Sequence, residues 1–126
     1  MEIPKTLAID YGTVRVGTAV SMHTLADPLV ILPNTEHLFD EIVMLCNENE
    51  VEQILVGLSE NEMAEKTKQF VSELKKHTNL PIIYMDETLS SHTVHNKLKD
   101  SKKSKRSGNI DHFAAAEFLQ NWIDEN

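Results

Sequence analysis

Apolar residues follow two rhythms along this chain. The first third holds short runs, Thr6 to Ile9 and the valine-rich stretch Val14 to Val20, with Gly12 between them. Runs of that length, broken at a glycine, predict a β-hairpin. Pro28 to Leu32 predicts a third strand, punctuated by Pro33 and Asn34. The rhythm then becomes helical: Leu38, Phe39, Ile42, Val43, Leu45 and Cys46 recur on one side, Thr35 is placed to cap, and a helix over about residues 36–49 is expected. Gln53 to Gly57 reads as a buried strand, Met63, Thr67, Phe70, Val71 and Leu74 share one helical face, and Pro81 to Met85 reads as another strand. A helix near residues 91–98 and a closing helix over about 110–123 complete the series.

Three strands in succession, then helix, strand, helix, strand and further helices, predict an antiparallel three-strand meander joined to two parallel strands. The expectation is a single α/β domain over residues 1–126, a mixed five-stranded sheet flanked by helices. At 126 residues the chain has the size of one domain. It shows no apolar run of membrane-spanning length and no signal-peptide core, and its single cysteine, Cys46, sits in a helical pattern where a buried thiol is ordinary. No membrane partner and a reducing, cytoplasmic location are expected.

Charge changes the picture more than composition does. A formal net charge of -8 opposes contact with polyanions, yet six of the twelve basic residues fall from Lys97 to Arg106 with one acid, Asp100, among them. That stretch, with Lys102, Lys103, Lys105 and Arg106 at its core, is a candidate phosphate-binding strip ahead of the last helix. Arg15, in the second strand, is a further candidate phosphate contact and fits a solvent-facing strand position equally well.

Acidic residues occupy the places where open α/β sheets carry their chemistry. Asp10 ends the first strand, Asp86 and Glu87 follow the last, and Asp111 opens the closing helix. Carboxylates converging there would need a hard divalent cation, magnesium or manganese, and a two-metal phosphoryl-transfer site is the chemistry such a cluster supports. Each acid alone also fits a structural part: Asp10 in a turn, Asp86 and Glu87 opening a helix, Asp111 at a helix dipole. Gly12 fits either a close approach to Asp10 or a turn needing positive φ. His92 and His95 lack a third ligand for zinc, no Ser-His-Asp set is evident, Ser90 and Ser91 fit helix caps, and Phe113, Phe118 and Trp122 read as core-facing.

The combination narrows these choices. Leu7 to Ser21, with Asp10, Tyr11 and Gly12 at its centre, resembles the opening motif of the YqgF/RuvX family, described as nucleases of precursor 16S ribosomal RNA or as Holliday-junction-resolvase-like proteins. Ala26 to Leu29, Ile54 to Leu58, Asp86 to Ser91 and Ile110 to Ala115 resemble the later family blocks, in family order and at compatible spacing. The resemblance implies a ribonuclease-H-like fold, with the family's acids falling on Asp10, Glu87 and Asp111 as catalytic and metal-binding residues. Asp86 and Glu60 are rivals for the middle position. Thr88 stands where many members have arginine, and it cannot grip a phosphate bidentately. By resemblance the activity is metal-dependent phosphodiester hydrolysis, with precursor 16S ribosomal RNA favoured as substrate, ribosome-assembly intermediates as its setting and branched DNA second. The alternatives are a Holliday-junction-resolvase-like DNA endonuclease and a non-catalytic RNA- or ribosome-assembly-binding protein.

Overall fold

The computed structural model of the chain describes residues 4–58, 62–86 and 110–125, with backbone alone at 62, 86 and 110–113. Five strands, β1 (Thr6–Asp10), β2 (Arg15–Met22), β3 (Leu25–Pro33), β4 (Gln53–Leu58) and β5 (Ile82–Asp86), form one sheet in the order β3-β2-β1-β4-β5. β1–β2 and β2–β3 pair antiparallel, whereas β1–β4 and β4–β5 pair parallel. This is the expected mixed sheet. The parallel strands are reached through α1 (Leu38–Glu48) and α2 (Glu62–Leu74), and α3 (Ile110–Glu125) closes the described chain. The helix expected near residues 91–98 and the basic segment lie outside the described residues.

The period of two along the central strands divides the core. Leu7, Ile9, Val16, Val20, Ile54 and Val56 pack with Leu38, Ile42 and Cys46 of α1 and Phe70, Val71 and Leu74 of α2. Ala8, Ala19 and Leu55 on the other face pack with Ala115, Phe118, Leu119 and Ile123 of α3. Alanines at the two central positions let α3 lie close to the sheet. Phe118 is buried as expected, and Trp122 is half-buried against the same cluster. Among the described residues no helix is long and apolar enough to cross a membrane.

Three local expectations need correction. β3 extends from Leu25 to Pro33 rather than from Pro28 to Leu32, because an edge strand tolerates proline, which has no N–H to offer the ladder. Met22 and Leu25 pair across a two-residue turn in which His23 takes φ 60, a position where glycine usually stands, so no turn signal marked it. Thr35 does not cap α1. The N-cap is His37, with no side-chain cap, and the Thr35 hydroxyl oxygen instead accepts from the His37 N–H at 3.1 Å in the turn before the helix.

Candidate active site

β1, β4 and β5 run parallel in register, Ile9 beside Val56 and Val56 beside Tyr84, so Asp10, Leu58 and Asp86 end at one common edge. Open parallel sheets place ligands at this carboxyl edge. Asp10 is half-buried there and shares the alternation of Thr6 and Ala8, which puts it on the α3 face.

The direction of α3 follows from its far end. Gln120 Oε1 accepts from the Ala26 N–H at 2.8 Å and its Nε2 donates to the Thr24 carbonyl at 2.9 Å, fastening that part of α3 to the β2–β3 turn. This turn lies beside the start of β1, where the Thr6 N–H donates to Ser21 Oγ at 2.8 Å and Ala26 pairs with Ser21. α3 therefore runs opposite to β1, with its N-terminus toward the Asp10 edge. Asp111 precedes Gln120 by about 13 Å of helix at 1.5 Å per residue. Asp10 follows Thr6 by about 13 Å of strand at 3.3 Å per residue. The backbone of Asp111 thus begins α3 on the face of Asp10 and at about its height.

Two neighbours of Asp10 shape the space around it. Gly17 is its direct cross-strand partner and has no side chain to cover the carboxylate on that side. Arg15, two positions before Gly17 at the start of β2, follows the alternation of Gly17 and Ala19 onto the α3 face and is exposed beyond the acid. The β1–β2 turn is held by Asn34, whose Nδ2 donates to the Gly12 carbonyl at 2.8 Å and whose N–H donates to the Val14 carbonyl at 3.0 Å. Gly12 does not have positive φ, which removes one of the two reasons expected for it. A Cβ there would collide with the Arg15 carbonyl oxygen, so the turn's own tight closure demands glycine.

Of the residues singled out from the sequence, Asp10 and Arg15 are described with side chains and Asp111 by its backbone. Glu87 and its rival Glu60, Thr88, Lys102, Lys103, Lys105 and Arg106 lie outside the described residues, as does the side chain of Asp86. Among the described residues no group of three or more metal-ligating side chains assembles. What sequence reasoning missed is the opposite side of the same edge. Tyr11, Asn34, Phe39 and Phe70 border a cavity there, and only their helical or turn positions were readable in advance.

A mixed sheet with β2 antiparallel to its four companions, helices on both faces and an acid at the end of the central strand is the ribonuclease-H-like architecture. The resolvase RuvC of T. thermophilus, solved in complex with a Holliday junction substrate, shares this fold with a TM-score of 0.68 at 12% identity, over 98% of this chain and 95% of RuvC. Residues 4–125 match the family model described as "RuvX: Holliday junction resolvase". A protein of Sulfurihydrogenibium sp. named "Putative pre-16S rRNA nuclease" is 33% identical over 95% of this chain and 90% of its own length. One of the same name from Bacteroides fragilis is 34% identical, over 95% and 96% respectively. The chain belongs to the RuvX family.

Proposed function

We propose that this chain is a metal-dependent nuclease in which Asp10, Glu87 and Asp111 form one carboxylate site. The observation that carries the reading is the placement of Asp10 and the start of α3, which carries Asp111, on one face and at one height of the sheet's carboxyl edge. Glu87 is favoured over Asp86 because the alternation that sets Ile83 and Met85 against α3 favours the next odd-numbered position. An all-carboxylate donor set fits hard cations, magnesium or manganese, better than zinc or copper. Bound there, a pair of such ions would activate water and neutralise the charge on the leaving 3′ oxygen.

The chain's own residues supply position and charge. The carboxylates would hold the cations that bind the reacting phosphodiester at the sheet edge, and the gap over Gly17 leaves room for it beside Asp10. Arg15 is placed to contact a flanking phosphate, and the basic segment with Lys102, Lys103, Lys105 and Arg106 leads along the chain into Asp111. Precursor 16S ribosomal RNA is the favoured substrate, on the names of the relatives, with ribosome-assembly intermediates as its setting. Branched DNA is second, on the family's description.

Asp10→Asn and Asp111→Asn are each expected to abolish metal-dependent cleavage of labelled precursor RNA and junction DNA while the melting temperature holds. Glu87→Gln is expected to fall with them, and Glu60→Gln to keep turnover. Near-normal cleavage by both aspartate variants overturns the reading. Binding without turnover in the wild type would identify a non-catalytic RNA-binding protein.

A further inference from the structure

On the other face of the sheet, immediately beyond Asp10, lies a cavity of about 370 Å³. Strand alternation turns Tyr11 away from the face of Asp10, so the two neighbours serve opposite sides of one edge. Tyr11 stacks on Phe70 with ring centroids 4.5 Å apart, Phe70 on Phe39 at 5.6 Å, and Phe39 on His77 at 4.8 Å with rings 6° from parallel. Phe70 is buried, whereas Tyr11 and Phe39 are only half-buried. They wall the space instead of filling it.

Asn34, Lys66 and Gln69 also border the cavity. Lys66 and Gln69, three apart on α2, share one helical face. Asn34 spends its Nδ2 on Gly12, which fixes the amide, while its Oδ1 takes no hydrogen bond among the described residues. Lys66 likewise has no ion-pair partner among them. Glu73, the acid among the lining residues, has Lys76 at 3.5 Å, which offsets its charge.

The cavity opens to solvent, and its 370 Å³ falls in the range of small-ligand sites. Aromatic side chains, the amide groups of Asn34 and Gln69, and at Lys66 an ammonium with no ion-pair partner among the described residues are together the chemistry that holds an unpaired nucleobase and its phosphate. We propose that this cavity receives a single unpaired base of the nucleic acid whose phosphodiester lies at Asp10, so that the strand crosses the sheet edge between them. The inference rests on the nuclease reading and adds a substrate class to it: strands with an unpaired nucleotide next to the cut. A continuous duplex keeps its bases stacked and cannot offer one.

The test uses full-length Asp10→Asn protein with magnesium and short single-stranded RNA and DNA oligonucleotides in which one abasic site is moved along the strand. Binding is read by fluorescence anisotropy. One position, or two adjacent ones, should lose at least about fivefold in affinity when the base is absent, the lower bound for one base–aromatic stack. Adding Tyr11→Leu should erase that position dependence. If Tyr11→Leu lowers the melting temperature, the exposed pair Lys66→Ala and Gln69→Ala provides a second variant that leaves the core intact and should shrink the same effect. A position effect in RNA alone makes the ligand a ribonucleotide base, and an equal effect in DNA makes it either. Affinity indifferent to every abasic position, or no binding of single strands, overturns the cavity assignment; cleavage by the wild type would still stand. A clear position effect with no cleavage supports the cavity and removes the nuclease reading instead.

Discussion

Gly12 is fixed by sterics, since its φ is negative and the obstacle to any side chain is the Arg15 backbone carbonyl. Backbone cannot swing aside as the end of a lysine can. Gly12→Ala is therefore expected to cost about 1–3 kcal/mol, the usual range for forcing atoms into a closed space. Urea unfolding midpoints will show it, and an unchanged midpoint would mean the turn relaxes freely. Cys46 makes a different use of burial. Its thiol is pushed from the usual 9.0 to about 11 because the thiolate would lose its water. Below pH 9 the thiol is protonated in both folded and unfolded chains. Above that, the unfolded chain gains by ionising and the folded chain does not, so stability falls as pH rises until the folded thiol also ionises near 11. The loss attributable to Cys46 is roughly 3 kcal/mol across this window. It should be absent from the alkaline limb of Cys46→Ala, and parallel limbs for the two proteins would refute the assignment.

Among the elements, β3 carries the clearest irregularity. Gly17 pairs with Ile31 but Ala19 pairs with Pro28, so β3 holds one extra residue there. Thr18 accommodates it: its hydroxyl donates to the Val30 carbonyl at 2.6 Å and accepts from the Val30 N–H at 3.1 Å. Both backbone groups of the bulged residue are satisfied by one side chain. Thr18→Val keeps the shape and removes both bonds, at an expected cost of about 1–3 kcal/mol for leaving those groups unpaired. Faster amide hydrogen exchange in β3, with exchange in β4 unaltered, would locate the damage. Uniform exchange in both strands would instead place the weakness outside the bulge.

For the whole molecule the governing feature is charge segregation. A chain of net charge -8 repels nucleic acid at long range, and affinity must come from local cations. Neutralising Lys102, Lys103, Lys105 and Arg106 together should weaken binding and flatten its salt dependence. Each lost phosphate contact should lower the logarithmic slope by roughly 0.7 on single strands or 0.9 on duplex DNA. Titration of a fluorescent oligonucleotide at several salt concentrations measures this, and equal slopes for variant and wild type would show that the segment does not track phosphate. Cleavage at saturating substrate should survive, because the chemistry is assigned to the carboxylates.

The order of the described strands and helices, the mixed sheet and the candidacy of Asp10 and Asp111 were all readable from the sequence. Those properties depend on local periodicity: a period of two or 3.6 is written into neighbouring residues, and an acid that ends an apolar run stands out by position alone. Tertiary structure decided which side of the sheet each residue serves. Asp10 and the start of α3 share a face only because Ala8 and Ala19 admit that helix and Gln120 fastens its far end to the β2–β3 turn. The turn at His23 carries no glycine, and β3 contains two prolines, so pairing with β2 and not propensity set that hairpin. The aromatic cavity was equally invisible in advance. Tyr11 follows β1, Phe39 lies in α1 and Phe70 in α2, and only parallel pairing of β1 with β4 and the packing of α1 and α2 on one face bring them into contact.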